Sequence, residues 1–244
     1  MGIVRNLTGG ALSSAGKKLV PRHAAGFVRG TLDRSIDGVG SLLGAARQAD
    51  KTLASNDGDV EAAVRDLIEV HTKYAGVQGF VTNIGGLVTA AATIPANIAG
   101  LALVQCHLVA GIAHLRGYDL DDPRVRDAVL VCMLGRSTID GLIKDGTLPG
   151  TPRHIATMTR EGTGGDPTTD DKVARLITAE IIAGVGGKRM ATFVGKRIPF
   201  VGGAIGGASD GWSTWQLGRY AAKELIAIAP PGAVTIDSPP SPRV

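Results

Sequence analysis

The sequence predicts an all-α protein, and three observations support this class. Apolar residues recur at helical spacing along most of the 244-residue chain, and no segment shows the convincing alternation of a half-buried strand. Apolar surface comes mainly from small and aliphatic residues, with 35 glycines and only 4% aromatic residues, which favours helices in close contact. Between Lys73 and Arg116, 42 residues pass without Asp, Glu, Lys or Arg. We therefore expect a single multi-helix domain built around a Gly/Ala-rich apolar helical hairpin.

The ends of the chain differ from its centre in composition. Residues 1–26 are rich in Gly and Ser and carry a basic excess, which predicts a flexible basic arm. The helical domain is predicted over 27–228, and the proline-rich tail 229–244 is predicted to be disordered. We expect a cytoplasmic protein, because the chain starts without a secretory signal and its two cysteines sit in apolar helical surroundings.

Capping signals and apolar spacing predict the individual helices. One helix is expected over about 26–54, and Asp59 is placed to cap the next one. Asp122 followed by Pro123 predicts the start of a helix that ends near Leu134. The other expected features are an ion pair between Glu61 and Arg65, an irregular stretch over 145–171, and helices over about 173–182 and 209–228.

The uncharged segment could lie in three environments: the protein core, one leaflet of a membrane, or the whole thickness of a membrane. Pro95 divides it into halves over about 75–93 and 96–115, and each half has about the 20 residues that a membrane span needs. The connector around Ile94 and Pro95 offers little polar material for a turn in water, which favours a hairpin with a buried tip. Burial in protein, re-entrant insertion into one leaflet and full spanning stay open, and the composition favours protein.

Glycines at helical spacing predict two close-packing faces. In the segment 198–207 they form small-xxx-small pairs, which let helix backbones approach each other. The segment lacks the Lys-Ser or Lys-Thr ending of a phosphate loop and has no preceding strand. We expect it to pack against the hairpin. The glycines assigned to this packing are Gly85, Gly86, Gly202, Gly203, Gly206 and Gly207.

Few residues are candidates for chemistry. His107 and His114 lie seven residues apart on one helix face, about 10 Å along the axis, which is too far to share one metal ion. Asp119 fits a solvated turn, and Asp210 lies in the last predicted helix. These four residues are the candidates to line a polar inter-helical cavity. No metal and no cofactor are expected.

Four motifs resemble a known family. They are GFVTNIGG at 79–86, IPAN at 94–97, IAHLRGYD at 112–119 with Asp122-Pro123, and IPFVGGAIGG at 198–207 with Asp210 behind it. Together they resemble the EcsC protein family of bacteria over roughly residues 60–222. The resemblance implies a helical, membrane-associated protein without established catalytic residues.

These observations favour a non-enzymatic protein that associates reversibly with the inner face of the cell membrane, as a peripheral or re-entrant element. The alternatives are an enzyme acting on a lipid or small molecule in an inter-helical cavity, and a soluble partner of a membrane protein complex. A homo-oligomer is possible. Nucleic acid is not expected, since no aromatic residues interleave with the basic ones. The residues assigned to an anionic membrane surface are Lys17, Lys18, Arg22, Phe80, Ile94, Pro95 and Phe200.

Overall fold

The structure is a computed structural model that describes residues 22–84, 96–158 and 199–228, and these are almost entirely helical. The predicted all-α class is confirmed. The first helix begins inside the segment predicted as the arm, and the tail 229–244 and the predicted helix at 173–182 lie outside the described residues. The elements in chain order are α1 (Arg22–Asp37), β1 (Gly38–Val39), β2 (Leu42–Leu43), α2 (Ala45–Ser55), α3 (Val60–Ile84), α4 (Ala96–Leu115), α5 (Pro123–Leu134), α6 (Arg136–Lys144), α7 (Pro152–Thr157) and α8 (Pro199–Glu224).

A short β-hairpin interrupts the helix predicted over 26–54, so that prediction was wrong. Gly38 pairs with Leu43, and Val39 pairs with Leu42, in antiparallel register. The backbone of Gly38 has φ +92°, and a Cβ there would lie 2.6 Å from the Leu42 carbonyl oxygen. A side chain at this position is therefore excluded, and the chain turns where the apolar spacing alone indicated a continuous helix.

Two predicted helix caps are confirmed. The Asp59 carboxylate accepts a hydrogen bond from the Ala62 backbone N–H at 3.0 Å, at the start of α3. The Asp122 carboxylate accepts from the backbone N–H of Arg124 at 2.9 Å, with proline at the first position of α5. Each cap satisfies one of the backbone donors that a helix start leaves free.

Three other local predictions were wrong. Glu61 forms a bidentate pair with Arg116 rather than with Arg65, because the Arg116 guanidinium at the end of α4 is only 10% exposed and presents both donors to it. The stretch predicted as irregular over 145–171 contains α7, which Thr151 caps, and its part 159–171 lies outside the described residues. The last helix begins at Pro199 and ends at Glu224, since proline suits the first helical position and the glycines that follow do not stop it.

Helix α4 is the centre of the core. Residues 106–113 are buried without interruption, so every face of the helix is covered by protein. It contacts α1, α2, α3, α5 and α8. Residues 106–113 of the uncharged segment are therefore buried in protein. Within the three described ranges, no helix is long and apolar enough to cross a membrane.

Glycines line the antiparallel contact between α3 and α8. A Cβ on Gly76 would lie 3.5 Å from the carbonyl oxygen of Gly207, and a Cβ on Gly211 would lie 3.3 Å from that of Thr72. Further along, a Cβ on Gly218 would lie 2.8 Å from the Cγ1 atom of Ile68. The glycine-rich segment and the first half of the uncharged hairpin thus approach each other backbone to backbone.

Candidate functional site

The clearest exposed feature is a pair of tryptophans on α8. Trp212 is 59% exposed and Trp215 is 37% exposed, and their rings stack with centroids 5.0 Å apart. The guanidinium carbon of Arg219 lies 5.3 Å from the centroid of the Trp215 ring. These three residues are called the tryptophan face below. They combine aromatic surface with a positive charge, held together by stacking and by a cation–π contact.

The sequence of α8 dictates where this face lies. The side of α8 that faces the protein is formed by buried residues at alternating spacings of four and three. All are small except a leucine just beyond the helix end. These residues are Gly207, Gly211, Thr214, Gly218, Ala221 and Leu225. The two tryptophans and Arg219 fall on the opposite side, at spacings of three and four. The other exposed residues between Gly207 and Glu224 are Ala208, Ser209, Gln216 and Lys223. None of them is acidic, so the exposed side of this helix segment is aromatic and basic.

A second feature is a pair of histidines in the core. His71 of α3 is 5% exposed and His107 of α4 is 2% exposed. Nε2 of His71 lies 2.8 Å from Nδ1 of His107, and the two rings stack with centroids 5.1 Å apart. The outer nitrogens reach backbone carbonyls: Nδ1 of His71 lies 2.7 Å from the oxygen of Leu67, and Nε2 of His107 lies 2.9 Å from that of Leu43. A chain of three contacts therefore joins α3, α4 and the β-hairpin.

Burial keeps both rings neutral near pH 7. It lowers the pKa of His71 to about 4, with a further lowering from His107 and a partial increase from the Leu67 carbonyl. Burial also lowers the pKa of His107, against the effect of the Leu43 carbonyl. The buried thiol of Cys106 has its pKa raised to about 12, again by burial, so it is not a reactive nucleophile.

The four predicted cavity residues do not form one constellation. His107 belongs to the buried pair, whereas Nε2 of His114 contacts a carboxylate oxygen of Asp50 at 2.8 Å. Asp119 is exposed, and its carboxylate accepts from the backbone N–H of Asp121. Asp210 is 5% exposed on α8. His107, His114 and Asp119 thus have separate partners, an arrangement that does not favour the enzyme alternative. Across the described residues, no group of three or more His, Cys, Asp and Glu side chains is placed to hold a metal ion.

The structure places the other predicted site residues as follows. Arg22 begins α1, Phe80 lies in α3, and Phe200 lies in α8 together with four of the assigned glycines. Gly207 is buried against α3. Six assigned residues lie outside the described residues: Lys17, Lys18, Gly85, Gly86, Ile94 and Pro95. The four assigned glycines in α8 are Gly202, Gly203, Gly206 and Gly207.

Sequence reasoning missed His71 as a site residue and missed the tryptophan face. The available signal for the face was two tryptophans three residues apart with an arginine four residues after the second. For His71 the signal was weaker, since it lay on the apolar face of its predicted helix and its partner is 36 residues away.

Comparison with known proteins gives one match. No curated protein matches the chain, and no solved structure matches it. The EcsC protein family matches residues 52–225, from the end of α2 through the whole of α8. This range contains both the buried histidines and the tryptophan face. The chain belongs to the EcsC protein family.

Proposed function

We propose that this protein binds reversibly to anionic membrane surfaces and that the tryptophan face is its main contact. The observation that carries this proposal is the exposure of both tryptophans of the chain, stacked side by side next to Arg219. A protein with only 4% aromatic residues leaves its two tryptophans exposed to water, while it fills its core mainly with leucine, isoleucine, valine and alanine. That arrangement is explained if the tryptophans are covered when the protein is at work.

The chemistry of the face suits the boundary between lipid and water. Tryptophan has an apolar body and a polar N–H, and its preferred location in membrane systems is the headgroup region. Arg219 and Lys223 are exposed on the same helix and offer positive charge to lipid phosphates. Each basic residue near an anionic surface adds about 1 kcal/mol of attraction. The basic residues Lys17, Lys18 and Arg22 of the arm extend this attraction in our proposal.

The mode of binding is peripheral and needs no catalysis. Because residues 106–113 of α4 are buried on all sides, attachment through α8 leaves this part of the core unchanged. Phe80, Ile94, Pro95 and Phe200 are further membrane contacts in this proposal. We assign the binding to the inner face of the cell membrane, where anionic lipid is exposed to the cytoplasm.

Flotation with vesicles tests the proposal. The full chain is mixed with vesicles of phosphatidylglycerol and phosphatidylcholine, or of phosphatidylcholine alone, at low and high salt. We expect co-flotation with the anionic vesicles at low salt and weaker co-flotation at high salt, since exposed charges are screened. A protein that stays at the bottom of the gradient with anionic vesicles at low salt contradicts the proposal.

Two double variants test whether the tryptophan face is the membrane contact. Trp212→Ser with Trp215→Ser removes the aromatic surface. Tyr74→Ser with Val77→Ser is the matched control, since it removes exposed apolar surface from α3, where these side chains are 64% and 63% exposed. The exposed fractions of the tryptophans together equal about one whole side chain, roughly 150–250 Å². Removal of half that area from water, at about 25 cal/mol/Å², gives about 2–3 kcal/mol. We expect a loss of vesicle affinity of about 30- to 150-fold for the tryptophan variant and a small change for the control.

A further inference from the structure

The buried histidine chain contains fewer protons than its contacts require. Its ends are the carbonyl oxygens of Leu67 and Leu43, which can only accept hydrogen bonds. Three contacts in series therefore need three protons on the ring nitrogens. Two neutral imidazoles carry two. If each histidine donates to its carbonyl, Nε2 of His71 and Nδ1 of His107 face each other at 2.8 Å with lone pairs on both.

A third proton completes the chain. With one proton between the two inner nitrogens, His71 donates to Leu67, His107 donates to Leu43, and the pair shares a single positive charge. The proton comes from water, and the net charge of the pair changes from zero to +1. Without it, one of the three contacts must be given up, because a hydrogen bond between two acceptors does not exist.

The contact that is given up is the one to the β-hairpin. Leu67 and His71 belong to the same turn of α3, so they cannot separate, and the inner contact joins two helices packed in the core. Leu43 instead lies on a two-residue strand whose neighbours Val39 and Leu42 are 45% and 37% exposed. A neutral pair is best satisfied when His107 carries its proton on Nδ1 and donates it to His71, which leaves Leu43 without a donor.

The ionisable groups of the surrounding helices do not replace the third proton. Among the described side chains, His107 is the titratable group that shifts the pKa of His71, and the shift in His107 comes from burial and the Leu43 carbonyl. Several ionisable side chains on the packed elements have partners of their own: Asp33 with Arg126, Asp50 with His114, and Glu69 with Lys73. The thiol of Cys106 is protonated, and Asp210 of α8 is buried but is not among the groups that shift the pKa of His71.

We propose that the His71–His107 pair is a buried binding site for one proton, and that proton uptake fastens the β-hairpin to the core. In acid the pair is charged, and the hairpin is held by the bond from His107 to Leu43. At neutral pH that bond is absent, and the hairpin with its apolar tip opens more often. The device is independent of membrane binding by the tryptophan face.

Hydrogen exchange of the full chain between pH 7.5 and 4.0, corrected for the intrinsic pH dependence of exchange, tests this proposal. Because the pKa of His71 is about 4, about half of the pairs are charged at pH 4.0. We therefore expect the protection of the amides at 38–44 to rise by up to about twofold between pH 7.5 and 4.0, relative to the central amides of α4. His107→Gln removes this dependence, because an amide donor does not titrate in this range, while His114→Gln on the same helix keeps it. Equal corrected protection of the hairpin at both pH values, or a dependence that persists in His107→Gln, overturns the proposal.

Nitrogen NMR of the unsubstituted protein at pH 7 provides a test that does not depend on the stability of a variant or on acid. We expect His107 to be protonated on Nδ1 and unprotonated on Nε2. The proposal excludes one arrangement of two neutral rings. In that arrangement His107 carries its proton on Nε2, and His71 carries its proton on Nδ1.

Discussion

Gly218 is the position where the close contact between α3 and α8 is tested most cleanly. A Cβ added there would lie 2.8 Å from Cγ1 of Ile68 and 3.0 Å from Cδ2 of Leu108. Both neighbours are buried, at 5% and 0% exposure, so neither has free space into which to move. Gly218→Ala therefore forces the two helices apart or pushes both side chains from their preferred rotamers.

The size of the effect follows from comparison with a second glycine. Gly141 lies inside α6, is exposed, and a Cβ added to it would have no atom within 4 Å. Both substitutions gain the same helix propensity, about 1 kcal/mol. Overpacking of a well-filled core costs about 1–3 kcal/mol and applies to Gly218 alone. We expect Gly141→Ala to be more stable than the parent protein and Gly218→Ala to be about 1–3 kcal/mol less stable than Gly141→Ala.

Urea and thermal unfolding followed by circular dichroism measure both variants. In a domain of this size, a difference of about 1–3 kcal/mol separates the two melting temperatures by about 2–12 °C. Equal stability of the two alanine variants would refute the reasoning, because it would mean that the contact between α3 and α8 has room for a methyl group at Gly218.

Two further predictions concern a helix cap and the buried histidines. Asp122→Ala removes the cap on the N–H of Arg124 and should cost about 1 kcal/mol, whereas Asp121→Ala, an exposed neighbour, should cost little in the same urea titration. The pKa of His71 falls from 6.5 to about 4 on folding, so the unfolded chain binds more protons between these values and stability falls as the pH is lowered. From pH 7 to pH 5 we expect His71 to account for a loss of about 2 kcal/mol. His71→Gln should show a smaller loss, because the pKa of His107 is lowered as well and that residue remains; a flat pH profile in the parent protein contradicts the prediction.

Local signals made much of the fold predictable. The Asp59 and Asp122 caps depend on residues within one turn, and α4 begins at Ala96, the residue after Pro95 in the sequence. The β-hairpin was missed because apolar residues continue at helical spacing through it, and glycine at position 38 is the residue that stops the helix. The spacing of apolar residues predicts which residues face the core. It does not reveal a turn when the apolar residues before and after that turn face the same side.

The candidate site was less predictable, for a different physical reason. The inner row of α8 consists largely of glycine and other small residues, which produce almost no hydrophobic periodicity. By size and apolarity its tryptophans are the natural core residues, yet they lie outside, because the close approach of α3 leaves no volume for them. The meeting of His71 with His107 is set by the packing of α3 on α4, and no local pattern encodes it.

The central claim is that the tryptophan face enters the membrane surface, and tryptophan emission tests it most directly. Trp212 and Trp215 are the two tryptophans of the chain, so the intrinsic emission of the protein comes from this face. On addition of phosphatidylglycerol-containing vesicles, we predict a shift of the emission to shorter wavelength and quenching by lipids brominated near the headgroup. Emission that stays unchanged with saturating anionic vesicles at low salt would contradict the claim.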